Sequence, residues 1–489
     1  MNAGIRWEPF LAAYSGRGKT EHFDRAAFDR GIHSQVYVNA PAGLLFPGDP
    51  GIPKQKYTND HLGHFAPRLG LAWDPQGNGR MTIRAAYGIA YDFPAMWAYH
   101  GSTTGAPYGT VITLANPAGG FDTPWQGYPG GNPFPSIPSK NSTFPTTVAY
   151  INYPPDMSIP YAQQWNLSVQ RQVGADWLVS ANYIGNSTVH IPGAIESNPV
   201  VYLPGASCVI AGVTYSPCSS TTNTNQRREL NLQNPAEGKY YGPIISVDDG
   251  GTSNYNGLLL SVQRRRSHGM TVQGNYTWSH CIGDTFVAMG GQVTAGVYPG
   301  RRGIERANCG AGGTSSGGDL RHIVNVSTVY ETPRFSGETL RALGSGWQIS
   351  GIVRLQSGNY LTVTSGFDTA LTNATRNSRA NQVLGDPFAP NQSIDQWLNP
   401  AAFARPANGE WGNSSKNILG PGRITIDMGL TRKFKMGESH TVEFRAEAFN
   451  LPNHVNPGNP ITALNNQNFG KIQTAGDPRI LQFALKYLF

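Results

Sequence analysis

The feature that most constrains this chain is a two-residue hydrophobic period that returns in about twelve separate segments. In residues 80–91, Met81 and Ile83 fall on one face, and Thr82 and Arg84 fall on the other. Similar alternation occurs at 3–7, 68–73, 161–172, 176–185, 255–263, 270–278, 320–330, 347–355, 424–431, 441–449 and 480–489. Side chains of an extended strand point alternately to opposite faces, so the pattern predicts β-strands with one apolar and one polar face.

The connections between these segments alternate in length. Shorter connections lie at 75–79, 173–175, 266–268, 331–345 and 435–438, and the long ones are 10–66, 92–160, 186–254, 280–319, 357–422 and 450–479. Such loops are rare in soluble domains, including β-sandwiches, but outer-membrane barrels have short periplasmic turns on one rim and long extracellular loops on the other. The sequence therefore predicts an all-β fold, an antiparallel transmembrane β-barrel whose carboxyl terminus lies on the periplasmic rim.

The composition suits strands joined by irregular loops. Charged residues are only 14% of the chain, while Gly (59) and Pro (36) disfavour helices. No run of about 18 apolar residues is present, which excludes a helical membrane span. The formal charge is +7, but basic residues are scattered apart from Arg264, Arg265 and Arg266, where a tight turn is expected. We therefore expect no nucleic-acid partner.

Four cysteines fall in predicted loops, at Cys208, Cys218, Cys281 and Cys309. Local disulfides, Cys208 with Cys218 and Cys281 with Cys309, would suit an oxidising compartment, although four cysteines allow three connectivities. The spacing lacks the CxxC pattern of a zinc site.

Motifs for catalysis or cofactor binding are weak. His61 and His64 lack the glutamate of a zinc-protease helix, and the glycine-rich run at 310–318 lacks the Lys-Ser/Thr ending of a phosphate-binding loop. We expect a protein that is not an enzyme, with no cofactor and no metal.

Charged residues on the polar face of the strands are candidates for lining the lumen. These are Arg84, Arg354, Asp427, Glu443, Arg445 and Glu447. They could face a substrate path, or they could form cross-strand ion pairs that stiffen the wall.

Aromatic residues in two long loops are candidate ligand contacts. They are Trp97, Tyr99, Tyr108, Trp125 and Tyr128 in one loop, and Tyr360, Phe367, Trp397 and Trp411 in the other. Exposed aromatics beside amides suit sugars or large amphipathic ligands, and binding concentrates in loops. The alternative is that these rings pack on one another and cap the barrel.

Several motifs resemble the barrel of Oar-like TonB-dependent receptors, a family expanded in acidobacteria. They are 65–75 (FAPRLGLAWDP), 79–92 (GRMTIRAAYGIAYD), 444–454 (FRAEAFNLPNH), 468–472 (NFGKI) and 475–479 (AGDPR). The similarity spans nearly the whole chain. It implies uptake of a large or scarce nutrient across the outer membrane of a Gram-negative bacterium, driven by energised movement of a plug domain.

Compared with that family, the chain is expected to be a fragment. Residues 1–489 would be the carboxy-terminal part of the barrel, about twelve of about twenty-two strands, with plug, TonB box and signal peptide absent. The TonB complex would act only through those missing regions. A free-standing twelve-strand barrel is the alternative, since even strand numbers from about 8 upward occur.

The last strand, 480–489, points Phe483, Leu485, Tyr487 and Phe489 towards lipid. An aromatic terminus on such a strand resembles the signal read by the barrel-assembly machinery. A passive porin-like channel and an adhesive or structural surface protein acting through its loops remain alternative functions. Siderophore complexes, cobalamin, oligosaccharides and peptides are all compatible with these loops.

Overall fold

The computed structural model describes residues 1–93, 105–109, 118–127, 131–132, 137–284, 306–309, 318–373, 379–414, 417–437 and 439–489, except the side chains of Ala194 and Arg266. Twelve strands form its wall: β1 Asn2–Trp7, β2 Phe65–Trp73, β3 Met81–Tyr91, β4 Tyr161–Val173, β5 Trp177–Glu196, β6 Tyr241–Ser267, β7 Met270–Gly283, β8 His322–Glu331, β9 Trp347–Gln356, β10 Arg423–Met436, β11 His440–Phe449 and β12 Ile480–Leu488.

These strands form one antiparallel meander, because each pairs with the next along the chain. In the part of the chain that the structure describes, β1 pairs only with β2, and β12 pairs only with β11. The predicted all-β fold and its strand order are confirmed. No described helix is long and apolar enough to cross a membrane.

The register places the apolar residues of neighbouring strands on one continuous surface. Tyr183 of β5 lies opposite both Leu167 of β4 and Leu258 of β6, and Ala446 of β11 lies opposite Leu430 of β10 and Phe483 of β12. A slip of one residue would turn every side chain of a strand to the other side. We call this apolar surface the outward face and the polar surface the inward face.

The turn between β6 and β7 corrects one prediction. Arg264, Arg265 and Arg266 belong to β6, and the turn consists of His268 and Gly269, with φ angles of 51° and 76°. Two consecutive positive φ angles are typical of the tight hairpin turn that matches the twist of paired strands. Placing the arginines in a turn was therefore wrong.

Strands β5 and β6 are longer than their alternating segments predict, with 20 and 27 residues. The far part of β6 pairs in parallel with the short strand Val148–Asn152. Alternation fades there because these residues pack against loops on both sides instead of separating lipid from a polar interior.

Short elements order the long loops and one turn. The helices are α1 Arg25–Asp29, α2 Glu229–Gln233, α3 Pro235–Gly238, α4 Glu338–Gly344 and the 3-10 helix Pro400–Ala402. The short strand pairs are His22–Phe23 with Leu44–Leu45, Cys208–Ile210 with Val213–Tyr215, Tyr360–Leu361 with Ile418–Leu419, and Asn381–Gln382 with Phe403–Ala404; Ala307–Asn308 pairs with β7.

Candidate functional site in the loop assembly

Three long loops fold together above β5 and β6. Their buried apolar residues form what we call the first loop core: Phe23, Phe28, Ala40, Ala42, Leu44, Phe46, Ala106, Phe144, Tyr150, Leu230, Tyr241 and Ile244. Aromatic rings meet edge to face in it, with ring centroids 5.2 Å apart for Phe23 and Tyr241. Loops of this kind are ordered because apolar burial offsets the loss of chain entropy.

Two further loops form a second loop core. It contains Val363, Ala380, Leu398, Ala402, Phe403 and Ile418. Leu464 and Phe469, from the loop between β11 and β12, pack against it, with Phe403 and Phe469 ring centroids 5.6 Å apart. The loops on this side of the rim therefore also fold as one packed unit.

Arg227 connects the two loop systems. Its side chain is fully buried, and its Nη1 donates to the Val201 carbonyl at 2.6 Å. Its Nη2 donates to the carbonyls of Ser220, at 2.7 Å, and Leu371, at 2.5 Å. Leu371 belongs to the loop of the second core, so one guanidinium holds backbone from both systems.

A cleft of about 360 Å³ opens beside the first loop core. Its lining is mixed: Phe23, Ile195 and Pro199 supply apolar surface, and the polar groups come from Arg25, Asn152, Glu196, Ser197, Glu229 and Ser246. The cleft thus collects residues from three loops and from the far ends of β5 and β6. Its volume is within the range of small-ligand sites, about 300 to 1,000 Å³.

The charges around this cleft are paired. Arg25 Nη1 lies 2.9 Å from Glu229 Oε1, and Arg25 Nη2 donates to Gln233 Oε1 at 2.7 Å. Glu196 lies 3.4 Å from Arg228 and accepts the Ile244 amide at 3.0 Å. With its charges paired, the cleft presents amide, hydroxyl and carboxylate groups that also hydrogen-bond within the chain: Asn152 Oδ1 accepts the Phe23 amide at 3.0 Å, and the Ser197 hydroxyl donates to Ser246 Oγ at 2.7 Å.

The first loop core also holds a buried carboxyl group. Burial raises the pKa of Glu21 well above its ordinary range, and the nearby backbone of Gly105 opposes this only in part. Within the described residues, neither carboxylate oxygen of Glu21 has a side-chain hydrogen-bond partner. The Glu21 side chain is therefore expected to be protonated when the loops are folded.

The candidate lumen residues all fall on the inward face, but they do not form one cluster. Glu443, Arg445 and Glu447 make a ladder on β11, with Arg445 2.9 Å from Glu443 and 3.8 Å from Glu447. Asp427 on β10 accepts the Asn450 amide at 2.8 Å. Arg84 and Arg354 lie on other strands, opposite Ser168 on β4 and Asn325 on β8, respectively. These ion pairs run along a single strand, and Lys433 of β10 lies 3.7 Å from Glu443 across the strand pair.

The loop aromatics are mostly packed. Tyr108 lies against Phe46 at a centroid distance of 5.8 Å, and Trp397 packs on the second loop core. Trp125, Trp411 and Tyr360 are partly buried; Phe367 is exposed, with the Arg405 guanidinium 4.3 Å above its ring. Trp97, Tyr99 and Tyr128 lie outside the described residues. Among the described aromatics, none of the candidates lines the cleft.

Sequence reasoning missed the polar residues that do line the cleft. Arg25 and Glu229 are about two hundred positions apart along the chain, and neither belongs to a recognisable motif. Only the packing of the loops brings them together. The Asp24 side chain, which accepts the Ala27 amide, was a readable helix-start signal that could have located α1.

Disulfides join Cys208 to Cys218 and Cys281 to Cys309. The first closes the small hairpin of Cys208–Ile210 and Val213–Tyr215. The second ties the end of β7 to the strand Ala307–Asn308 that pairs with it. Both local pairs therefore brace loops on the long-loop rim.

The residues proposed as an assembly signal lie on the outward face. Phe483, Leu485 and Tyr487 are exposed along β12, and Phe489 follows at the terminus. The Tyr487 hydroxyl lies 2.8 Å from His440 Nδ1 on β11.

Comparison with known proteins gives one family and several similar folds. The family model for the outer membrane beta barrel domain matches residues 1–482. No curated protein matches. Among solved structures, the outer membrane transporter YddB from Escherichia coli is 12% identical, with a TM-score of 0.41, covering 89% of this chain and 41% of that one.

Two receptors are similar to the same extent. The siderophore receptor PirA from Acinetobacter baumannii is 12% identical, with a TM-score of 0.39, covering 89% of this chain and 42% of that one. The outer-membrane ferripyoverdine receptor of Pseudomonas aeruginosa is 11% identical, with a TM-score of 0.39, covering 88% of this chain and 33% of that one. The chain spans less than half the length of these three proteins. By its family match, it belongs to the outer membrane beta barrel domain family, and the protein is located in the outer membrane.

Proposed function

We propose that this chain forms the wall and external loops of a TonB-dependent transporter, of the Oar-like type, that takes up a large or scarce nutrient. The observation that carries the proposal is the folded loop assembly, in which five long loops build two packed cores beside a cleft with polar and apolar walls. The family match places this assembly on an outer-membrane barrel.

Ordering these loops has a large conformational cost, about 1 to 2 kcal/mol for each backbone residue. A rigid site binds more tightly because this cost is met before the ligand arrives. A passive channel requires an unobstructed entrance, and loops that are ordered before a ligand binds give it no advantage. The packed cores therefore favour capture of a ligand over free diffusion.

The cleft suggests the chemical class of the ligand. Paired charges and uncharged groups such as Asn152, Ser197 and Ser246 favour a neutral molecule with hydroxyl or amide groups. Phe23 offers an apolar surface beside them. Oligosaccharides and peptides fit this description better than strongly anionic ligands. In this proposal, the TonB complex supplies energy through regions outside this chain.

The test is uptake by cells that produce the complete protein. Radiolabelled oligosaccharides and peptides of graded length should accumulate, and a proton uncoupler should abolish the accumulation. Asn152→Leu should reduce uptake about tenfold, whereas Asn391→Leu, on an exposed part of the second loop system, should leave it unchanged. Resistance of the loops to protease would show that Asn152→Leu still folds. Uptake that continues with uncoupler would identify a passive channel and overturn the proposal.

A further inference from the structure

The outward face of the wall has an uneven charge distribution. In the regularly paired, described part of the strands, it holds three charged residues, and all are arginines: Arg171 on β4, Arg264 on β6 and Arg432 on β10. Each lies within a few residues of the strand end at the short-turn rim. Charged residues on a lipid-facing surface cost about 2 to 4 kcal/mol at the bilayer centre but little near the interface.

Two of these arginines lie on the strands on either side of β5, near one tryptophan. Trp177 of β5 lies opposite Arg264 of β6, and Arg171 of β4 lies opposite Val179, two residues further along β5. The Arg264 guanidinium stacks over the Trp177 ring, 5.4 Å from its centroid. Neighbouring strands are about 4.8 Å apart and the two-residue offset adds about 7 Å along the strands, so the Arg171 and Arg264 backbones are about 12 Å apart. Long arginine side chains can converge across that distance.

Neither arginine of this pair has an acidic partner among the described residues. Arg264 Nη1 contacts Met270 Sδ at 3.5 Å, while its Nε is buried and has no hydrogen-bond partner there. Arg171 is exposed and makes no hydrogen bond or ion pair to the described parts of the chain. At the edge of the apolar surface, one guanidinium without an acidic partner is therefore stacked on an aromatic ring, and a second belongs to a residue opposite Val179, two residues along β5.

The third arginine provides a contrast. Arg432 Nη1 donates to the Leu343 carbonyl at 3.1 Å, and Nη2 donates to the Ala342 carbonyl, at the end of helix α4. Its guanidinium also lies between the rings of Trp347 and Phe434. Arg432 is thus engaged with its own chain, because it caps a helix C-terminus.

We propose that Arg171, Trp177 and Arg264 form a binding site for the phosphate of an anionic phospholipid in the leaflet at the short-turn rim. Planar guanidinium groups match phosphate oxygens in geometry and charge. The acyl chains would lie on the apolar outward face, which continues from Trp177 through Val179 and Ala181. The site goes beyond nutrient uptake and does not depend on it.

The proposal is tested by lipid selectivity of the full chain in phosphatidylcholine vesicles that contain spin-labelled phosphatidylglycerol. The double variant Arg171→Gln, Arg264→Gln should lose its preference for phosphatidylglycerol by about thirtyfold, because two cations near an anionic surface contribute about 1 kcal/mol each. The matched control, Arg84→Gln with Arg354→Gln, removes the same charge from the inward face and should keep the preference. Circular dichroism and heat-dependent gel mobility identify any variant that has not folded.

Two results would overturn this site. One is unchanged lipid selectivity in a folded Arg171→Gln, Arg264→Gln variant, which would mean that the two guanidiniums only extend into water and bind no lipid phosphate. The other is an equal loss in the inward control, which would mean that net charge alone attracts the lipid. Single variants, Arg171→Gln and Arg264→Gln, should each give an intermediate loss, because both guanidiniums contact the same phosphate.

Discussion

Replacing Arg227 by methionine should release the contact between the two loop cores. Methionine fills a similar space but donates no hydrogen bond. In the native protein, Arg227 donates to the Asn223 side chain and to the Val201, Ser220 and Leu371 carbonyls, at 2.8, 2.6, 2.7 and 2.5 Å. The variant leaves these buried acceptors without their charged donor.

The magnitude follows from leaving several buried neutral acceptors without a donor, at about 1 to 3 kcal/mol for each group, which we take as about 3 to 5 kcal/mol in total. That range is well below the sum of four separate bonds, because such contributions are not additive. Since about 1.4 kcal/mol corresponds to a factor of ten, the opening equilibrium should rise roughly 150-fold or more. The change should be local, because the four acceptors that lose their donor, on Val201, Ser220, Asn223 and Leu371, all belong to loops.

Hydrogen exchange measures this opening directly. The Val201 amide, which donates to the Arg227 carbonyl at 2.9 Å, should lose protection in the Arg227→Met variant. Amides in β10 and β11 should not change. Arg30→Met is the control, because the Arg30 guanidinium is exposed and binds only the Ala26 carbonyl in the described chain. A change of less than threefold at Val201, or equal changes in both variants, would refute the reasoning.

Three other substitutions give distinct readouts. Burial raises the pKa of Glu21 in the folded state, so the first loop core should become less stable as the pH rises above about 4.3, the pKa in the unfolded chain. The loss should reach up to about 1.4 kcal/mol per pH unit and stop once the pH passes the raised pKa. Glu21→Gln should remove this slope in chemical unfolding curves. A Cβ at Gly185 would overlap the Trp165 indole, so Gly185→Ala should destabilise the wall by about 1 to 3 kcal/mol, and a Trp165→Ala background should abolish most of that cost. Cys281→Ser should lower stability by about 3 to 4 kcal/mol, because Cys309 is 28 positions away; no loss under non-reducing conditions would contradict the bridge.

The strands of the wall could be predicted because the hydrophobic pattern that defines each strand lies within that strand. Alternation in residues 81–91 or 441–449 sorts each side chain to lipid or to the polar interior within a single strand. The observed bounds of β3 and β11, Met81–Tyr91 and His440–Phe449, therefore differ from the predicted segments by one residue. Prediction failed where strands leave that two-sided environment, as in the far ends of β5 and β6.

The loop assembly could not be predicted, because its contacts join residues far apart in the chain. The sequence identified Tyr108 and Trp397 as aromatic loop residues, but a ring that binds ligand and a ring that packs in a core look the same in sequence. The structure places both in packed surroundings and puts Arg25 and Glu229 at the cleft instead. No local period marks that pairing.

By itself, the sequence determined that this chain is a wall of antiparallel strands with one apolar face. A hydrophobic period of two places all apolar side chains of an extended strand on the same face. Tertiary structure alone decided which loops share a core and which polar groups meet at the cleft. It also decided that Arg264 lies opposite Trp177, and Arg171 opposite Val179, on the outward face. The physical reason is that strand patterning depends on neighbours two residues away, whereas loop packing and cross-strand register depend on the whole chain.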